Sequence, residues 1–239
     1  MTKTHDRRRV PDARVYEPDF DGVLSEANMH YLERVLRLVP GDRFCVTDGR
    51  GREGWSEFSA DGALLVREIQ EPDRDCRWRV TLFAGLTKGD RFEWLLEKAV
   101  ELGVTCVVPL VSARCVVREL SAAKLDRYRK IALAAMLQSG GCWLPRIEDP
   151  QPVAHLAEPH GNVCGWLLHE GFGGGGSLPA VETNHDEIWV CSGPEGGFTE
   201  SEVETLLARG WRGVSLGPRR LRAETAPLVA VSALLLTRA

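Results

Sequence analysis

The sequence predicts an α/β protein in two parts: a small β-rich domain followed by a larger domain built on a mostly parallel sheet. Two observations lead there. From Val80 onward, short apolar runs alternate with stretches of helical periodicity, the pattern of strands joined by crossover helices. Before Glu71-Pro-Asp-Arg-Asp75 the short apolar runs alternate instead with Gly and Asp turns. That polar, proline-bearing stretch marks the boundary, giving domains over 1–73 and 77–239.

In the first domain, Phe44–Thr47 leads into Asp48-Gly49, and Gly54–Phe58 leads through Asp61-Gly62 into Ala63–Val66. Asp-Gly between apolar runs predicts hairpins. A helix is expected over Asn28–Leu38, with Tyr31, Leu32, Val35 and Leu36 on one face and Gly41 beyond it. In the second domain, strands are expected at Val80–Ala84, Val104–Val111, Val163–Leu168, Glu187–Cys191 and Gly213–Leu216. Helices are expected at Asp90–Leu102, Ala122–Gln138, Thr199–Arg209 and Ala226–Thr237. Asp90 with Glu93, and Thr199 with Glu202, have capping spacing.

Hydrophobic content of 44% and charged content of 27% describe an ordinary folded chain. The first residues hold no apolar run, and Ala226–Leu236 is too short to span a bilayer, so a cytoplasmic protein without a membrane partner is expected. The 7 cysteines are scattered without C-x-x-C spacing, which predicts reduced thiols and no metal. A net charge of −4 argues against a general nucleic-acid binder. Basic residues nonetheless cluster at Arg7–Arg9, at Arg34 with Arg37, and at Arg219, Arg220 and Arg222.

In a parallel sheet, ligands sit beyond the C-terminal strand ends, so the stretches after Leu168, Cys191 and Leu216 matter most. The tract Gly171-Phe-Gly-Gly-Gly-Gly176 satisfies a dinucleotide fingerprint, but its proline-bearing sequel offers no helix for a pyrophosphate, so a surface loop is expected. Ser192-Gly-Pro-Glu-Gly-Gly-Phe-Thr199 differs: it lies between a strand and a capped helix, and its glycines let backbone approach a ligand. Leu216-Gly-Pro-Arg-Arg-Leu-Arg-Ala-Glu-Thr-Ala226 repeats the Gly-Pro turn with arginines, a carboxylate and a hydroxyl.

The order Gly-Pro-Glu-Gly-Gly-Phe, then Leu-Gly-Pro-Arg-x-Leu-Arg-x-Glu-Thr-Ala, resembles the RsmE family, bacterial small-subunit ribosomal RNA uridine-N3 methyltransferases of the SPOUT superfamily. The likeness continues through His30-Tyr-Leu-x-Arg-Val-Leu-Arg37, Gly41-Asp42, Asp48-Gly49, Lys88, Glu93–Gly103, Pro109-Leu110, Gln138-Ser-Gly140 and Pro145. It departs at Gly141, Ser192, Arg220 and Ala223, which puts RNA contacts and target in question more than cofactor binding.

The resemblance implies a PUA-like β-barrel that binds RNA, then an α/β SPOUT domain tied in a deep trefoil knot. It also implies a homodimer acting on 16S ribosomal RNA or the small ribosomal subunit, with S-adenosyl-L-methionine as cofactor. By position, Leu168, His169 and Glu170, the loop Gly193, Pro194, Glu195, Gly196 and Gly197, and the loop Leu216, Gly217, Pro218 and Leu221 are expected to bind it. A uridine N3 must lose its proton to attack, so Arg222 is expected to stabilise the anion and Glu224 or Glu195 to orient groups or accept the proton. Equally, Glu224 can simply brace the loop against Arg219 or Arg222. Arg8, Arg9, Arg34, Arg37 and Arg219 are expected to contact RNA, Arg34 and Arg37 from one helix face. A related methyltransferase with another target, a non-catalytic ribosome assembly factor and a nicotinamide-dependent oxidoreductase remain alternatives.

Overall fold

A computed structural model describes residues 9–74, 78–172 and 185–236. The chain divides into two compact units, Met1–Asp75 with Met136–Leu144, and Cys76–Ala135 with Pro145–Ala239.

The first unit holds strands β1 (Arg9–Tyr16), β2 (Asp21–Val23), β3 (Arg43–Thr47), β4 (Glu53–Glu57), β5 (Ala63–Leu65) and β6 (Arg67–Gln70). One sheet has the order β1-β3-β4-β6, with β1 parallel to β3 and the other pairs antiparallel, while β2 and β5 form a separate antiparallel ribbon. Leu32, Phe44, Val46, Phe58 and Leu64 make the core of this unit. The turn at Asp48-Gly49 joins paired strands, as expected. Asp61-Gly62 does not: β4 takes β6 as its ladder partner and β5 takes β2.

The helix expected over 28–38 is shorter, earlier and irregular. Ser25 caps α1 (Glu26–His30), and a π-helical turn follows over Tyr31–Val35, closed by Leu36 N–H donating to the Tyr31 carbonyl at 3.0 Å. A π turn carries more residues per revolution than an α turn, so the expected stripe loses phase. Leu32 is buried while Val35 is 60% exposed. Arg37 lies beyond the helix with φ of 56°, so it does not share a helix face with Arg34.

The second unit holds β7 (Arg79–Gly85), α2 (Arg91–Glu101), β8 (Cys106–Val111), α3 (Ala122–Ser139, whose last turn falls in the first unit), β9 (Arg146–Ile147) and β10 (Gln151–Pro152). It continues with β11 (Val163–Leu168), β12 (Glu187–Ser192), α4 (Glu200–Ala208), β13 (Arg212–Val214) and α5 (Thr225–Leu236). The sheet runs β10-β8-β7-β12-β11-β13 with β9 beside β8, and every pair is parallel. The expected parallel α/β architecture is therefore present. Buried Phe83, Val108, Leu110, Leu167, Phe198, Leu206 and Trp211 pack one of its cores.

Two local expectations fail here for physical reasons. Asp90 stands at the N-cap of α2 but makes no side-chain cap. Glu93, which a capping box would turn back toward Asp90, is instead held by Arg127 at 2.7 Å and by Lys124, both from α3. The strand expected to reach Leu216 stops at Val214, because its partner β11 ends at Leu168, the residue paired with Val214. Among the described residues no helix is long and apolar enough to cross a membrane, and no group of three or more His, Cys, Asp and Glu could hold a metal.

Candidate active site

The register of the parallel sheet builds the site. Ala84 pairs with Ser192, Ser192 with Leu168, and Leu168 with Val214, so four strands end on one level. The segments that follow, starting at Leu86, Gly193, His169 and Ser215, therefore emerge as neighbours. His169 N–H donates to the Val214 carbonyl at 3.2 Å, which sews two of these exits together. Gly85 runs so close to the Gly-Pro turn that a Cβ there would lie 2.2 Å from the Pro194 nitrogen.

A cleft of about 470 Å³ opens above this row. Its walls include Leu168, His169 and Glu170, all of Gly193–Gly197, and Leu216, Gly217 and Leu221, together with Arg219, Arg222 and Glu224. Thus the two Gly-Pro turns, twenty-odd residues apart in sequence, face one cavity. Pro218 is exposed and does not line it; it turns the chain behind Gly217, whose φ of 110° needs glycine. Gly197, at φ of 67°, closes the other turn by donating its N–H to the Pro194 carbonyl at 2.9 Å.

The helix after the first turn starts as its sequence requires. Thr199 Oγ1 accepts from the Glu202 N–H at 3.2 Å, and a Glu202 oxygen accepts from the Thr199 N–H at 2.8 Å. The other Glu202 oxygen accepts from the Ala113 N–H at 2.8 Å, fastening the loop after β8 to the start of α4.

The charged groups separate by their partners. Glu195 Oε1 accepts from the Lys88 N–H at 3.1 Å and lies 3.3 Å from Arg91, so this carboxylate ties the turn to the entry of α2. Glu170 pairs with Arg220 at 3.0 Å. Glu224 is different: its side chain is 10% exposed, its Oε1 is 3.9 Å from Arg222, and its Oε2 is buried without a hydrogen-bond partner. An acceptor left bare in a pocket wall is costly unless something that enters the pocket satisfies it. Arg222 lines the cleft with its side chain 78% exposed.

Of the other expected contacts, Arg34 is exposed on the π turn beside Glu33, 3.4 Å away, and Arg37 is exposed past its end. Arg8 and the side chain of Arg9 lie outside the described residues, as does the glycine tract from Gly173. Sequence reasoning missed Arg91 and Arg114, which also line the cleft. Arg91 opens the helix after β7, and Arg114 stands three residues past the end of β8. Both follow strand ends on the same side of the sheet as the two turns, and that position was the signal available.

A family model described as an RNA methyltransferase domain matches residues 74–235, and another described as an RNA methyltransferase PUA domain matches residues 24–60. The chain is 36% identical over 221 residues to the ribosomal RNA small subunit methyltransferase E of Synechocystis sp., covering 87% of this chain and 71% of that one. To the protein of the same name from Bacillus subtilis it is 31% identical, covering 86% of each. A crystal structure of a ribosomal RNA small subunit methyltransferase E from Neisseria gonorrhoeae, bound to S-adenosyl methionine, superposes with a TM-score of 0.81 at 27% identity, covering 93% of this chain and 96% of that one.

Proposed function

The chain belongs to the ribosomal RNA small subunit methyltransferase E family, and from that premise we propose that it methylates N3 of one uridine in 16S ribosomal RNA, using S-adenosyl-L-methionine. The observation that carries this reading is the convergence of the Gly193–Gly197 and Leu216–Leu221 turns on one cleft of about 470 Å³.

The residues fit such a cofactor. Leu168, Leu216 and Leu221 offer apolar wall for an adenine, and the glycine turns expose backbone for its polar edge. Glu224 Oε2, buried and bare, is an acceptor in need of a donor or a cation. When bound, S-adenosylmethionine supplies a methyl group already activated by its sulfonium charge.

The chain's own residues then have to prepare the nucleophile. Methyl transfer asks mainly for alignment, whereas the N3 proton of uridine must be removed. Arg222 neutralises the negative charge that spreads over O2 and O4 as this proton leaves. Glu224 orients the reacting groups or takes the proton. Glu195 is the poorer candidate, because Lys88 and Arg91 already occupy it.

In this reading residues 1–73 form the PUA-like barrel that binds RNA and residues 77–239 the knotted SPOUT domain. Arg8, Arg9, Arg34, Arg37 and Arg219 contact phosphates of the small subunit. The protein acts in the cytoplasm as a homodimer, a state supported by the apolar helix α5 with Val229 40% exposed and by Trp94 at 47%. The deciding experiment is methyl transfer to small subunits from cells lacking this modification, followed by nucleoside mass spectrometry. One equivalent of 3-methyluridine in 16S RNA is expected; no product, or a different methylated nucleoside, overturns the reading. Arg222→Ala should lower kcat by roughly 100-fold or more while leaving cofactor affinity within a few-fold.

A further inference from the structure

The charges around the cleft do not cancel. Five arginines line it (Arg91, Arg114, Arg219, Arg220 and Arg222) against three glutamates. Glu170 takes Arg220, Glu195 takes Arg91, and Glu224 lies nearest Arg222. No described carboxylate pairs with Arg114 or Arg219. These two come from opposite sides of the Gly193–Gly197 turn, which follows β12: Arg114 follows β8, beyond β7 in the sheet, and Arg219 follows β13, beyond β11.

Arg114 is also built for a fixed task. Its backbone is held by the Ala113 N–H bond to Glu202 at 2.8 Å and by the Cys115 N–H bond to the Ser112 carbonyl at 3.1 Å, with Cys115 buried beneath. Its stem packs so closely on Gly196 that a Cβ at that glycine would lie 2.9 Å from Arg114 Cβ. One guanidinium nitrogen donates to the Gly196 carbonyl at 3.2 Å, and the exposed group keeps its remaining N–H donors for other acceptors. A guanidinium held at its root, unneutralised and exposed at the mouth of a pocket is suited to a phosphate.

We propose that Arg114 is an RNA phosphate contact, gripping the backbone of the target strand on the side of the cofactor turn opposite Arg219. The inference rests on the reading of the cleft as an RNA methylation site. A base drawn from its stack into the cleft leaves its two flanking phosphodiesters at the rim, and cations on both sides hold that strained strand open.

The test is binding of the full-length protein to under-modified small subunits, with S-adenosylhomocysteine present, across a salt series. Arg114→Ala is expected to weaken binding about tenfold at moderate salt and to flatten the plot of log affinity against log salt by about one unit. Arg114→Lys, which keeps the charge, should restore the slope. Calorimetry should show the affinity of Arg114→Ala for S-adenosylmethionine changed by less than threefold, because Glu195 and the Gly197–Pro194 bond still hold the turn. An unchanged salt slope, or a loss confined to cofactor affinity, overturns the proposal and leaves Arg114 as a brace for the turn. A wild-type protein that fails to bind subunits overturns it as well. Methylation assayed in parallel reports on the function itself: binding with the expected slope but without 3-methyluridine would sink the enzymatic reading and spare the phosphate contact.

Discussion

Glu53 illustrates how one side chain fixes a remote stretch of chain. Its carboxylate pairs with Arg14 and Arg74 and accepts from Gln70 at 2.9 Å, while Arg14 also donates to the Gly141 carbonyl at 2.9 Å. Burial pushes the Glu53 carboxyl up, but the hydrogen bonds from Arg14, Arg74 and Gln70 win and bring it down to about 2 from an ordinary 4.5. Its folded-state pKa is depressed, so its stabilisation is complete above pH 4.5 and is lost as pH falls through about 2. Glu53→Gln leaves the Arg14 guanidinium, 11% exposed, without its countercharge and should cost about 3 kcal/mol at neutral pH. Urea unfolding should show that difference shrinking below pH 4.5; a gap independent of pH would mean the charge is not what matters. None of this was readable in one dimension, because nothing in the sequence pairs residue 14 with residue 141. Gly85 makes the same point at the site. The glycines of the two turns announced themselves by clustering, whereas Gly85 ends an ordinary apolar strand and shows its purpose only beside Pro194. A methyl group there has nowhere to go, so Gly85→Ala should cost about 1–3 kcal/mol and displace the turn. Calorimetry finding its affinity for S-adenosylmethionine unaltered would sink the idea that this close approach shapes the cleft.

Among the elements, those specified locally were legible and those decided by distant partners were not. The capping box of α4 is complete within four residues, and Thr199 and Glu202 form it as their spacing predicts. The same spacing at Asp90 and Glu93 gives no box, since Arg127, and after it Lys124, both on α3, displace the local bond and bring the Glu93 carboxyl down to about 2. Likewise the stripe from Tyr31 to Leu36 has helical apolar spacing, but a π turn changes its phase and leaves Val35 outside. The strands of the parallel sheet were readable as apolar runs, while their common level came only from register. Thr199→Ala removes the Oγ1 acceptor and should cost about 1 kcal/mol. Because Glu202 also holds Ala113, the loss should loosen the loop that carries Arg114. Hydrogen exchange should be faster at the amides of Ala113 and Glu202, and unchanged rates there would show that the cap is not what fastens that loop.

At the scale of the whole chain, a net charge of −4 sits with a nucleic-acid substrate because the positive groups are placed locally, with arginine in excess around the cleft. Every residue of that cleft belongs to the second compact unit, and the Glu53 network belongs entirely to the first. Ligand binding stabilises the native form by mass action, about 2.7 kcal/mol at a hundred times its dissociation constant. Where segments open independently, that protection appears only in those that contact the ligand or pack on its walls. Adding S-adenosylmethionine should therefore slow amide exchange at the ends of β11, β12 and β13 and across the two Gly-Pro turns, with β3 and β4 unaffected. Glu53→Gln should speed exchange in β4 and in the 136–144 segment and leave the turns alone. Protection by the cofactor that appeared in β3 and β4 but bypassed residues 193–197 and 216–221 would contradict the placement of its site.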